Sequence, residues 1–148
     1  MARHPTPRPG AAAGRLSRAC AAVLAAALLL TGCARRSFQL AGTVTLASVL
    51  RHRAPQDNAV LFVIAKNRGE VPVAVHRIVN PQFPAQFCFG PEDLIVPDLP
   101  PDTPLRIEIE MNAHGTLGRP ARGDLEGAHP NLVYPGDRRV DIVIDRQV

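Results

Sequence analysis

Few side chains in this 148-residue chain have the chemistry for catalysis or metal binding, and they are scattered along it. Cys88, Met111, His114 and His129 are the residue types that soft-metal sites such as blue copper use. A copper-binding reading is therefore the rival to any purely structural one. The spacing fits no ligand motif, because there is no H-E-x-x-H and no C-x-x-C. His52 and His76 complete the histidines beyond position 32, and periodicity assigns Met111 to a core. Ser37 and Ser48, the only serines in the same stretch, lack the G-x-S-x-G context of a nucleophile elbow. Glu108 and Glu110 form a carboxylate pair of the kind that general acid–base chemistry uses. At a spacing of two on a strand they share one face, and that face reads as solvated. No catalytic, cofactor-binding or metal-binding residue is assigned.

The remaining reactive position is Cys33, and the segment before it decides its chemistry. Arg3, Arg8, Arg15 and Arg18 form a basic leader, and Ala19 to Leu30 is an apolar run. Twelve helical residues reach about 18 Å, short of the ~30 Å hydrocarbon core, so the run reads as an export signal rather than a permanent span. Leu30-Thr31-Gly32-Cys33 closes it and resembles the lipobox of bacterial lipoprotein precursors. The resemblance implies cleavage before Cys33 by signal peptidase II. It also implies diacylglycerol on the Cys33 thiol, with palmitate-type acylation. Residues 1–32 are then a lipoprotein signal peptide, 33–37 a lipidated N-terminus and short linker, and 38–148 the folded domain. Ala34 stands where enterobacterial lipoproteins retained in the inner membrane carry aspartate, which favours the outer membrane.

Export processing changes the charge argument. The chain as a whole carries a net +4, but its first 32 residues hold four arginines and no acidic side chain, leaving 13 basic and 13 acidic side chains from Cys33 onward. A nucleic-acid partner needs a basic stripe, and none survives. Arg35-Arg36 lies next to the expected lipid, where each residue is worth about 1 kcal/mol at an anionic membrane surface. Cys20 leaves with the signal and Cys33 is consumed, so Cys88 stands alone, flanked by Phe87 and Phe89. Its neighbours predict a buried, inert thiol.

The stretch from Cys33 to Val148 suits one domain. Its prolines fall between short apolar runs, and an interior proline costs a helix about 3 kcal/mol. Phe38 to Leu46 and Val73 to Ile78 read as strands, and the unbroken apolar run Val60 to Ala65 reads as a central strand covered on both faces. Arg106 to Met111 alternates charged and apolar residues, directing Ile107, Ile109 and Met111 inward and the charges to water. Val140 to Asp145 repeats the device with Val140, Ile142 and Ile144. Phe83 to Phe89 and Leu94 to Val96 are weaker candidates. About seven strands in a domain this size predict an all-β, immunoglobulin-like β-sandwich. Asn112 to Gly136 exceeds an ordinary hairpin loop; it reads as a packed connection or short irregular strand pinned by Leu117, Leu125, Leu132 and Val133, with a binding loop as the alternative.

Several segments together carry a family resemblance. Gly42-Thr43-Val44, Val60-Leu61-Phe62-Val63-Ile64-Ala65, Pro72-Val73-Ala74-Val75-His76-Arg77-Ile78, Gly123-Asp124-Leu125-Glu126-Gly127 and Val140-Asp141-Ile142-Val143-Ile144-Asp145-Arg146 follow in order. In sequence and spacing they resemble the C-terminal immunoglobulin-like domain of the cytochrome c biogenesis protein CycH (CcmI). In that family the domain follows a membrane part and a helical-repeat region that presents apocytochrome c for haem ligation. Here no period of about 34 residues is present, and Glu92-Asp93-Leu94-Ile95-Val96 replaces a segment where the family carries methionines.

The resulting expectation is a membrane-tethered, non-catalytic lipoprotein domain without a cofactor, facing the periplasm. It would bind a membrane-proximal protein partner, and the resemblance implies a role accessory to c-type cytochrome biogenesis. A periplasmic copper-binding β-sandwich is the alternative. An exposed sheet edge or the long connection would make the contact.

Overall fold

A computed structural model describes residues 38–148. The expected signal peptide (1–32), the expected linker (33–37) and Cys33 lie outside the described residues. Seven strands form, each where the sequence supplies apolar residues at a period of two or an unbroken apolar run. They are β1 (Leu40–Leu46), β2 (Val60–Lys66), β3 (Pro72–Val79), β4 (Ala85–Phe89), β5 (Arg106–Asn112), β6 (Leu125–Ala128) and β7 (Val140–Gln147). Single 3-10 turns occupy Ser48–Leu50 and Pro91–Asp93, and the described residues contain no α-helix. Leu94 to Val96 is not a strand. Pro91 starts the turn, after which Leu94 makes one isolated bridge to Ala74.

The strands join in the order β3-β2-β5-β6-β7-β1-β4, one mixed sheet in which the immunoglobulin-like faces are continuous through β6. Only β1 and β7 pair in parallel; the other neighbours are antiparallel. The sheet curls nearly into a barrel, so its two edge strands approach. His76 of β3 lies 6.0 Å, centroid to centroid, from Phe89 of β4.

The barrel interior is the core. Leu40, Val44, Leu61, Val63, Phe87 and Phe89 meet Ile107, Ile109, Met111, Ile142 and Ile144 there. Each fully buried side chain of this size stabilises by about 1.5–3 kcal/mol. Two glycines let backbones close around it. A Cβ on Gly42 would stand 1.9 Å from the Val140 carbonyl oxygen, and one on Gly127 would stand 2.3 Å from that of Val143. The first explains Gly42-Thr43-Val44 at the parallel pair. The second explains the last residue of Gly123-Asp124-Leu125-Glu126-Gly127, which sits at the β6–β7 irregularity.

A second apolar cluster lies on the outer face. Val60, Phe62 and Ile64 are buried there under Val75 and Leu117. This is why β2 is apolar on every position from Val60 to Ala65. The connection after β5 thus proves to be packed, and it contains β6 and a bridge between Val133 and Leu105. Leu117, Leu125 and Val133 pin it, but Leu132 is exposed.

The same cover overturns the expectation that both β5 carboxylates face water. Glu110 is only 6% exposed. Its carboxylate accepts from Asn112 Nδ2 at 3.0 Å and from the Gly118 N–H at 3.2 Å. Strand alternation does send Glu110 outward, but the connection folds back over that face.

Candidate functional site

Strand β4 is short because Pro84 and Pro91 bracket it, and its alternation is complete. Ala85, Phe87 and Phe89 are buried while Gln86 and Cys88 are exposed. The expectation of a buried Cys88 is therefore wrong. Its two phenylalanine neighbours point to the opposite face, as adjacent strand residues must.

The pairing of β1 shows which backbone groups of β4 are open. The Ala41 N–H donates to Asp137 O at 2.9 Å and the Ala47 N–H to Ile144 O at 3.0 Å, so the odd positions of β1 address β7. Leu40, Gly42 and Val44 then address β4, opposite Phe89, Phe87 and Ala85. Gln86 and Cys88 are left with N–H and C=O directed away from the sheet. Among the described residues no strand pairs with that side.

The other edge is treated differently. Along β3, the Val73 carbonyl accepts from the Ile95 N–H at 2.8 Å, and Leu94 bridges Ala74. Asp93 fastens this cap: its carboxylate accepts from the Gly90 N–H at 2.9 Å and lies 3.1 Å from His76 Nδ1.

The candidate chemical residues are dispersed or already engaged. His114 Nε2 lies 3.0 Å from Asp124 Oδ2, and the Thr116 N–H donates to its Nδ1 at 3.2 Å, so both ring nitrogens serve the connection. Asp124 also accepts from the Ala121 N–H at 2.7 Å, which is why a buried aspartate stands in the Gly123-to-Gly127 turn. Met111 is in the core, Cys88 is on the outer side of β4, and His129 is half-buried on the connection after β6. The four residues of the copper reading are thus not brought together as a site, and no group of three His, Cys, Asp or Glu side chains among the described residues is arranged to hold a metal. Glu108 is paired with Lys66 Nζ at 2.5 Å. His52 is exposed in the segment after β1.

Besides a shallow hollow of about 460 Å³ lined by Leu132, Arg138 and Arg139, two concave surfaces flank the sheet. One of about 510 Å³ lies at the end where β1 finishes, walled by Leu46, Ala54, Phe83 and Pro84 over Met111. The other, about 390 Å³, lies beside Lys66, Glu108, Leu117 and Arg146. The outward Gln86 and Cys88 of β4 form an exposed sheet edge, at a position where the apolar neighbours of Cys88 had suggested burial.

This architecture is that of an all-β, immunoglobulin-like domain. The model of the cytochrome c-type biogenesis protein H Ig-like domain matches residues 40–145, and the chain belongs to that family. A protein of Aquifex aeolicus (strain VF5), described as uncharacterized, is 31% identical over 106 residues, covering 71% of this chain and 69% of that one. An alternative pilotin from the type II secretion system of Vibrio cholerae aligns over 74% of this chain and 98% of its own. Its TM-score is 0.48 and its identity 13%, a likeness too slight to bear on function.

Proposed function

We propose that the protein is a membrane-tethered, non-catalytic domain that captures a membrane-proximal protein by strand addition and assists c-type cytochrome biogenesis. The observation that carries the capture is the open side of β4. Two consecutive outward positions, Gln86 and Cys88, offer backbone donors and acceptors to an extended segment, the requirement for adding a strand. Membership of the cytochrome c-type biogenesis protein H Ig-like family supports the biological setting. The tether is Cys33, acylated after removal of residues 1–32 and anchoring the domain on the periplasmic face, with the outer membrane favoured by Ala34. About four linker residues give a reach of ~10–12 Å, which confines partners to the bilayer surface.

Crosslinking in cells followed by mass spectrometry tests the role. Recovery of cytochrome maturation components with the natural chain, and their loss with Gln86→Pro, is the expected result. Consistent absence of those components sinks the biogenesis role, and unchanged recovery with Gln86→Pro sinks the β4 edge. Cys33→Ala should leave the precursor unprocessed and release the domain from membranes; a processed, membrane-bound variant refutes the tether.

A further inference from the structure

Exposed large apolar side chains gather at the end of the barrel where the described chain begins. β1 and β7 start there, β4, β2 and β6 finish there, and the connections at 67–71, 90–105 and 129–139 cover it. These connections carry Val71, Ile95, Val96, Leu132 and Tyr134, five of the nine exposed large apolar side chains among the described residues. Singly exposed apolar residues are ordinary, but a gathering on one end marks a contact surface.

Two further observations say what the surface meets. First, the chain emerges beside it. The Gly136 N–H donates to Gln39 O at 2.6 Å, and Arg138 Nη2 donates to Gln39 Oε1 at 2.7 Å. The described chain therefore begins, at Phe38 and Gln39, against the 129–139 connection. Second, that connection carries Leu132 and Tyr134, 46% and 45% exposed, and Leu132 lines one hollow with Arg138 and Arg139. Both arginines are exposed, and neither forms an ion pair among the described residues. Apolar and aromatic side chains beside arginine are what an interface of acyl chains and phosphates accepts. Asp137 is also there, its carboxylate turned back to accept from the Tyr134 N–H at 2.8 Å. The acidic Glu92, Asp98 and Asp102 lie on the neighbouring 90–105 connection with Ile95 and Val96, so of the apolar side chains at this end Leu132 and Tyr134 make the contact.

We infer that Leu132, Tyr134, Arg138 and Arg139 seat this end of the domain on an anionic bilayer, holding the barrel upright with the opposite loops in water. The inference rests on the Cys33 tether proposed above and deepens it, because it assigns the anchored domain an orientation. It also places the open β4 edge roughly along the bilayer normal, where a partner segment emerging from the membrane could add to it.

The chain contains no tryptophan, so a single introduced one reports depth. Acylated Tyr134→Trp and Val49→Trp proteins, each reconstituted in phosphatidylethanolamine–phosphatidylglycerol vesicles, would be compared for quenching by lipids brominated near the top of their chains. Val49 is the control because it is 70% exposed at the opposite end of β1. Tyr134→Trp should be quenched at least roughly twofold more strongly than Val49→Trp, since interfacial side chains sit about 5–10 Å into the headgroup boundary. Reversing charge with Arg138→Glu and Arg139→Glu should cut that difference, and an unchanged difference overturns the part given to the arginines. Protein that floats with the vesicles but is quenched equally at both ends overturns the seating while leaving the tether intact. Protein that fails to float, with Cys33 unmodified by mass spectrometry, overturns the tether and the seating together.

Discussion

The two halves of the sheet are finished in different ways. In β3-β2-β5 the outer face is covered: β2 is buried from Val60 to Ala65, Leu117 lies over it, and the Gly118 N–H reaches down to Glu110. The edge of that half is capped by Ile95 on Val73. In β7-β1-β4 strict alternation persists, with Asp141, Val143 and Cys88 exposed on the outer face, and the last edge is bare. Natural sheets commonly protect their edges against unwanted pairing. One edge is thus capped, whereas on the other the outward backbone groups of Gln86 and Cys88 meet no strand among the described residues.

The greatest loss should come from Gly42→Ala. The new methyl would press on the Val140 carbonyl, which is backbone and cannot rotate away, forcing apart the parallel pair that holds the open half to the barrel. A cost of about 3 kcal/mol is expected, read as a fall in the denaturation midpoint; a midpoint within error of the natural chain would show that the close approach is unimportant. Next is Glu110→Ala in the covered half. It strips the acceptor from Gly118 N–H and from Asn112 Nδ2 and should cost about 2 kcal/mol. Amide hydrogen exchange should then speed up at Thr116 to Gly118 and leave β4 unaffected.

Ile95→Pro probes the cap alone. Leu94 already has the extended backbone that a following proline prefers, so the change removes little beyond the bond to Val73, worth about 1 kcal/mol. Exposing a second edge should also promote self-association, measurable by sedimentation; a monomer at every concentration would show that the cap does not guard β3. The smallest effect on stability belongs to Gln86→Pro, within about 0.5 kcal/mol because its N–H has no partner in the sheet. Its effect on partner capture should nonetheless be complete. A large loss of stability would mean that the edge is structurally occupied after all.

Much of this contrast was legible in the residues. Ile107, Ile109 and Met111, and Val140, Ile142 and Ile144, face the core as their period of two requires, and the unbroken run of β2 announced cover on both faces. Cys88 was misjudged on the apolar character of its neighbours when their period already turned it outward. Glu110 was a different kind of failure. Its strand position was read correctly, and Asn112 lies beside it on the same strand, yet its burial depends on Gly118 returning across it, a contact that no strand period encodes. Leu94 to Val96 is apolar enough for a strand, but Pro91 and the Asp93 contacts made it a cap on another strand.

By itself the sequence determined six of the seven strands, β6 excepted, the inward faces of β5 and β7, the neutral charge from Cys33 onward and the expectation of an anchor at that residue. These follow from side-chain period, proline placement and residue counts, all local quantities. Tertiary structure decided that the sheet closes through β6, that Glu110 is covered, that β3 is capped and that β4 is open beside an apolar, arginine-bearing end. Those outcomes depend on which distant segments meet, and such meetings are set by the closure of the whole sheet rather than by any stretch of chain.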